Sequence, residues 1–233
     1  MLPKNPRHLP PAMQNEECGR YLALLNRRRA AFRVKRAFDI LLSLCALAAL
    51  LPLLLLIALL VGLTSQGGAL FCQTRVGQNL KRFTILKFRT MRASDNRCAL
   101  PLTVRDDPRI TPLGRFLRKL HLDELPQLIN VLKGDMSFVG PRPEVERYVR
   151  QYTPRQLATL LIPCGITCTA SLVYKDENNL LTASDDPETC YLRDILPVKT
   201  EYNLAYLERF SLGEDIKIIL QTALSVIGVT PRV

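Results

Sequence analysis

This chain has no tryptophan and only two histidines, His8 and His121. The first absence removes the largest stacking surface for nucleobases, and no helix-turn-helix, zinc-finger or RNA-binding signature makes up for it. A nucleic-acid partner is therefore not expected. The second absence excludes a histidine-built metal cluster. Seven cysteines are present but scattered, and only Cys164 and Cys168 lie close together. An odd number without a repeating spacing excludes a disulfide framework or a structural zinc site, and fits a reducing compartment. Glycine-rich phosphate loops of the Walker or dinucleotide type are also missing. Any phosphate bound here must rest on arginine, lysine and a metal.

The longest absence is of charge. No Asp, Glu, Lys or Arg occurs from Ile40 to Thr74, and the 24 residues from Ile40 to Leu63 are almost all leucine, alanine and isoleucine. A membrane-spanning helix needs about 20 such residues. A secretory signal has a shorter apolar stretch ending in a small-residue cleavage site, so the segment reads as a retained anchor. Its flanks do not fit a simple crossing. Arg27, Arg28, Arg29, Arg33, Lys35 and Arg36 precede it, and Arg75, Lys81, Arg82, Lys87, Arg89 and Arg92 follow it. Basic residues gather on the cytoplasmic side, so two basic flanks place both ends on one face.

Pro52 makes that geometry accessible, because proline removes an intrahelical donor and clashes with the preceding turn. It divides the run into two arms of about 12 residues, each roughly 18 Å long. Neither arm crosses a hydrocarbon core of about 30 Å. A re-entrant helix–break–helix satisfies both the charge and the proline. An ordinary spanning helix that tolerates its proline is the other reading.

Lysine and arginine number 32 against 21 acidic residues, a net charge of +11. The excess clusters about the apolar run, where anionic lipid headgroups would attract it; it also suits a phosphate-bearing substrate. The length allows one membrane element and one cytosolic domain. Three segments are expected: a flexible leader over 1–26, a basic helix and re-entrant element over 27–68, and a cytosolic catalytic domain over 69–233. Within the last, β-type residues at 70–76 and 82–88 flank Gly77-Gln78-Asn79 and predict a hairpin. A polar loop follows over 93–108. Thr111 as N-cap and Pro112 at the first position start a helix, and a second runs from about Glu124 to Leu132, stopped at Gly134. A polar helix is expected from about Glu144, an acidic irregular stretch over 176–200, and helices near 199–210 and 213–227. The last carries an amphipathic stripe that suits the core or a membrane interface. The fold class is α+β, mainly helical.

Two sets of residues carry chemistry. Asp123 stands where a helix begins, which favours its ionised, nucleophilic form, and Glu124 could move protons or hold a divalent cation. The plainer account is a capping aspartate beside a solvated glutamate. Lys87, Arg118 and Arg142 form the basic set; Arg142 is clamped between Pro141 and Pro143, and an arginine fork matches phosphate oxygens bidentately. Taken singly, each is also an ordinary surface charge.

The ordered motifs go further. Lys35-Arg36-Ala37-Phe38-Asp39, Lys87-Phe88-Arg89-Thr90-Met91, Asp107-Pro108-Arg109-Ile110-Thr111-Pro112-Leu113-Gly114, Leu122-Asp123-Glu124-Leu125-Pro126-Gln127-Leu128 and 130–143 stand in the order found in one family. From Lys35 to Gly228 the chain resembles the bacterial sugar transferases, the monotopic phosphoglycosyl transferases. The resemblance implies transfer of a sugar 1-phosphate from a UDP-sugar to polyprenyl (undecaprenyl) phosphate, with release of UMP. Asp123 would form a phosphosugar–aspartate intermediate, with Glu124 as its partner and Mg²⁺ beside Asp123. Lys87, Arg118 and Arg142 match positions near that site, and Pro52 matches the break of a re-entrant helix. It also implies the cytoplasmic face of the bacterial inner membrane, a role in initiating exopolysaccharide or lipopolysaccharide synthesis, and room for a homodimer. One segment departs from the family: Pro163-Cys164-Gly165-Ile166-Thr167-Cys168 stands where members usually read Arg-Pro-Gly-Ile-Thr-Gly. That departure motivates the alternative of a catalytically degenerate scaffold for polysaccharide assembly.

Overall fold

The computed structural model describes residues 2–65, 67–92, 107–174, 177–226 and 228–229. The polar loop expected over 93–108 lies, apart from Asp107 and Pro108, outside the described residues. The chain opens with two short 3₁₀ turns and then α1 (Glu16–Arg27) and α2 (Arg29–Thr64). The expected hairpin follows as β1 (Leu70–Val76) and β2 (Arg82–Phe88), paired antiparallel from Leu70↔Phe88 to Val76↔Arg82. Next come α3 (Pro112–Lys119), a 3₁₀ turn over Leu122–Glu124, α4 (Gln127–Lys133) and β3 (Met136–Val139). The remaining elements are α5 (Glu146–Val149), α6 (Pro154–Ala158), β4 (Cys164–Thr167), α7 (Thr169–Val173), α8 (Glu177–Thr182), α9 (Pro187–Cys190), α10 (Leu196–Arg209) and α11 (Leu212–Val226). The architecture is mainly helical α+β, as the sequence predicts.

Several expectations need correction. Residues 2–26 are not a loose leader. Leu9, Met13, Cys18, Tyr21, Leu22 and Leu25 are buried in one cluster with Leu157, Leu160, Leu161, Leu204, Leu207 and Phe210. Asn15 caps α1, its Oδ1 accepting from the Cys18 amide at 2.9 Å. The apolar positions are interleaved with arginines and prolines, so their periodicity is weak until α6 and α10 supply the partner face. The stretch 176–200 is likewise not irregular: it holds α8, α9, a π-helical turn over Tyr191–Ile195 and the start of α10. A parallel pair, β3 with β4, was not anticipated. Its close approach rests on glycine, since a Cβ on Gly165 would stand 2.2 Å from the Gly140 amide nitrogen.

The apolar segment also differs in detail. Helical backbone runs unbroken from Arg29 to Thr64 with Pro52 inside it, so the two separated arms expected from the proline are one element. Both ends of that element grip the same body. Near its start, Lys35 Nζ lies 2.7 Å from Asp215 Oδ2, and both side chains are buried. The Tyr206 hydroxyl donates to the other oxygen of Asp215 at 2.5 Å. Arg36 donates to the carbonyls of Val131 and Leu132 at 2.5 and 2.8 Å, and Asp39 accepts from the Phe138 amide at 3.3 Å. Near its end, Ile57 and Val61 are buried against Phe88 and Leu117. Between and around these anchors Leu41, Leu44, Leu51, Leu55, Leu56, Leu59, Leu60 and Leu63 are exposed. A run of leucine facing water would cost about 25 cal/mol per Å² of apolar area, so this surface calls for another apolar medium.

Candidate active site

The site is built where β2, the 3₁₀ turn before α4 and the Pro141–Pro143 turn converge. Thr111 caps α3 as expected, its Oγ1 accepting from the Gly114 amide at 2.9 Å. Gly114 can lie against β2's continuation because it lacks a side chain; a Cβ there would meet the Thr90 carbonyl at 2.2 Å. The helix ends at Leu120, and His121 then takes a left-handed conformation (φ 54°) that turns the chain into Leu122–Glu124. Asp123 and Glu124 are thereby presented from a tight turn rather than from a regular helix.

The two neighbouring carboxylates are treated differently. Glu124 is fully engaged: Lys87 Nζ lies 2.7 Å from its Oε1, Arg142 Nη2 2.6 Å from the same oxygen, and Arg142 Nη1 2.8 Å from Oε2. Burial pushes its carboxyl up, but the charges and hydrogen bonds of Arg142 and Lys87 outweigh that and hold it well below the usual carboxylate range. Arg142 also donates to the Ile166 carbonyl. Asp123 is the opposite case. It is only 7% exposed, and among the described residues its carboxylate receives neither a hydrogen bond nor an ion pair. It caps no helix: neither the turn it sits in nor α4 has a side-chain cap. Burial raises its carboxyl above the ordinary value, and the charge of Glu124 raises it further. Lys87, Arg118 and His121 pull it back without touching it. The helix-start environment expected to favour ionisation is therefore outweighed by burial.

Lys87, Glu124 and Arg142 thus form one contact cluster with Asp123 beside it. Arg118 stands apart, its Nε donating to Thr90 Oγ1 at 2.8 Å. It is near enough to act on Asp123 through its charge. Sequence reasoning missed two supports. Arg75 of β1 donates to the Pro143 carbonyl at 3.3 Å and to Gln73 Oε1 at 2.7 Å, bracing the turn that aims Arg142. Thr90 orients Arg118; its place in the 87–91 motif was the available signal. The altered 163–168 segment does structural work. Cys164 Sγ is buried against the Val76 carbonyl at 3.6 Å, and Cys168 Sγ caps α7 at the Ser171 amide, 3.4 Å away.

Among the described residues no group of three or more metal-ligating side chains occurs. Glu124 is committed to cations, which leaves Asp123 as the carboxylate of this site without a partner among the described residues. That donor set would suit Mg²⁺, which needs only one or two protein carboxylates beside substrate phosphates, and Asp123 would hold it.

Next to Arg142 lies a cleft walled by Glu144, Tyr152, Ser171, Lys199 and Asn203. A carboxylate pair set among Lys87, Arg118 and Arg142, on a helical body that carries a helix long and apolar enough to cross a membrane, suits a membrane-associated protein that handles anions. The chain belongs to the bacterial sugar transferase family, whose model matches residues 30–229. It is 40% identical over 195 residues to the undecaprenyl-phosphate glucose phosphotransferase of Komagataeibacter xylinus, covering 81% of this chain and 35% of that protein. It is 36% identical over 192 residues to the UDP-N-acetylgalactosamine-undecaprenyl-phosphate N-acetylgalactosaminephosphotransferase of Aeromonas hydrophila, covering 81% and 42%. The chain therefore spans less than half the length of these two relatives. With the exopolysaccharide production protein PSS of Rhizobium leguminosarum bv. phaseoli it shares 39% identity over 203 residues, 82% of this chain and 94% of that one.

Proposed function

We propose that this chain transfers a sugar 1-phosphate from a UDP-sugar to polyprenyl phosphate in two steps through Asp123. The observation that carries the reading is the buried carboxylate of Asp123, without a partner among the described residues, beside a glutamate locked by an arginine fork and a lysine. A desolvated carboxylate without hydrogen bonds is a better nucleophile than a solvated one. In the first step an Asp123 oxygen attacks the β-phosphorus. The bond from that phosphorus to the bridging oxygen breaks, and UMP leaves with the electron pair. In the second, an oxygen of the polyprenyl phosphate attacks the same phosphorus and releases the Asp123 carboxylate. Both attacking groups are anions, so neither step needs a base. That agrees with Glu124, whose low pKa disqualifies it as a proton carrier and suits it to holding Lys87 and Arg142 in place. Donor phosphates then compete with Glu124 for the Arg142 fork. Asp123 would hold a Mg²⁺ that offsets diphosphate charge.

Incubating the full chain with a panel of UDP-sugars and Mg²⁺ is expected to release about one UMP per active site without acceptor, and continuous UMP once polyprenyl phosphate is added. UMP that appears only with acceptor present overturns the two-step route. No UMP from any donor under either condition favours the scaffold reading. The structural use of Cys164 and Cys168 argues against that reading, since these two departures from the family pattern are absorbed by packing and capping.

The same proposal places α2 in the cytoplasmic leaflet of the inner membrane without crossing it. A helix spanning about 30 Å of hydrocarbon would carry its ends to opposite sides. Here Lys35 and Val61 both pack on one body. Single cysteines placed near Arg29 and near Gln78 in a cysteine-free background are expected to label from the same side of the membrane. Labelling from opposite sides would make α2 a spanning helix.

A further inference from the structure

One face of the hairpin is turned to the site. Arg75 on β1 donates to the Pro143 carbonyl, and Lys87 on β2 pairs with Glu124. Side chains alternate along a strand, and residues directly opposite in an antiparallel pair share a face, with Cβ atoms about 5 Å apart. Phe71 is opposite Lys87, and it lies two positions before Gln73 and four before Arg75. Its ring therefore stands on the face that carries Lys87 and Arg75. Farther along that face the apolar side chains are covered, since Phe83 and Ile85 are buried. Phe71 is 38% exposed, an aromatic ring left open beside a lysine of the site.

The surroundings of the ring narrow what covers it. On one side is the Lys87 ammonium, which has three donors. Among the described residues it uses one of them, on Glu124 Oε1. On the other side is the membrane-facing helix. The strand begins six residues after α2 ends at Thr64, and Ala69 packs on the cluster of Ile57 and Val61. Leu63 at the end of α2 is exposed, and so is Leu70 on the opposite face of β1. Where β1 leaves α2, both of its faces are thus apolar and open, continuous with the exposed leucines of that helix. An occupant that meets a cation at one end and apolar surface leading to lipid at the other is an amphiphile with an anionic head. A nucleotide or a sugar, polar at both ends, matches the cation but not the apolar approach. Resting on the transferase reading above, we propose that Phe71 belongs to the acceptor subsite. The first isoprenyl units of polyprenyl phosphate lie on its ring while the phosphate meets Lys87.

The test compares the full chain with its Phe71→Ala and Phe71→Leu variants. The measurements are KM for undecaprenyl phosphate and for geranyl phosphate, KM for the UDP-sugar, and the affinity for UDP alone. In Phe71→Ala the KM for undecaprenyl phosphate is expected to rise about tenfold, the worth of roughly 50 Å² of lost apolar contact. Geranyl phosphate has two isoprenyl units and should show the same rise, because the contact lies next to the phosphate. Leucine keeps most of the apolar area, so Phe71→Leu should stay within about threefold of wild type. Donor KM and UDP affinity should stay within about twofold in both variants. Flotation with phosphatidylethanolamine–phosphatidylglycerol vesicles should be unchanged, since the exposed leucines of α2 are intact. Thermal unfolding of each variant checks that the fold is kept. An unchanged acceptor KM in Phe71→Ala overturns the proposal while the transferase reading stands. So does a loss of UDP affinity as large as the acceptor effect, which would place the nucleotide on the ring. Loss of vesicle binding overturns it as well, because Phe71 would then be a membrane anchor. A wild-type chain that neither binds UDP nor turns over any donor overturns the transferase reading itself and this proposal with it.

Discussion

Asn in place of Asp123 is expected to lower turnover by at least about a thousandfold, the scale seen when a covalent nucleophile is removed. The same change is expected to leave the fold more stable at neutral pH. Burial and Glu124 raise the Asp123 carboxyl above its unfolded value of about 3.9. Between the unfolded and the raised folded value, the unfolded chain has released the proton and the folded chain has not. Raising the pH through that window therefore favours unfolding, and above it an ionised Asp123 works against the fold. Asparagine removes that charge without changing the shape. Thermal unfolding at pH 7 should give a higher Tm for the variant, with the gap closing as the pH falls below about 3.9. A variant with lower Tm and substantial activity would remove Asp123 from the reaction. Because the nucleophile must be ionised, kcat/KM should fall on the acid side at a pH above that of an ordinary aspartate. Lys87→Met, which withdraws one of the charges lowering the Asp123 carboxyl, should move that limb upward.

The parts of this structure legible in the sequence were those governed by local rules. The hairpin followed from alternating β-type residues, and α3 from Thr111 and Pro112. The stop after α4 followed from Gly134, which does adopt φ 89°. Distinctive motifs single out Lys87, Glu124 and Arg142 in the sequence, yet nothing local says that they touch. Contacts spanning 37 and 18 positions are set by tertiary packing. What failed was of the same origin. Residues 2–26 looked loose because their apolar positions make sense only against α6 and α10. The pair β3–β4 is short and parallel, and Gly140, just past β3, lies so close to Gly165 of β4 that a side chain on either would clash with backbone. Asp123 looked like a cap because caps are common at such positions. Only its burial and its lack of a partner among the described residues set it apart. Pro52 predicts a break, whereas the helix absorbs it, since proline in an otherwise well-supported helix costs one hydrogen bond and a local clash.

Arg142→Ala should separate the two roles that Arg142 plays. It strands Glu124, a carboxylate 12% exposed, with Lys87 as its only remaining ion-pair partner among the described residues. Breaking a buried pair costs about 3–5 kcal/mol. With a third of the Arg142 side chain in water, about 2–3 kcal/mol is the appropriate expectation. The loss should be pH-dependent with a definite sign. Glu124 is held below its unfolded value of about 4.3, so its stabilisation is present above that pH and disappears as pH falls through the folded value. The stability gap between wild type and variant should therefore narrow in acid. Adding Glu124→Gln to the same chain removes the stranded charge and should recover much of the Tm. It should not recover catalysis. If the fork binds donor phosphate, kcat/KM stays about a hundredfold or more below wild type in both the single and the double variant. If the double variant instead regains near wild-type kcat/KM, Arg142 serves only to neutralise Glu124, and phosphate binding passes to Lys87 and Arg118. Arg142→Lys sharpens the distinction, because it keeps the charge but loses the planar pair of donors. A stability close to wild type together with a kcat/KM well below it is the result that assigns the Arg142 fork to the substrate.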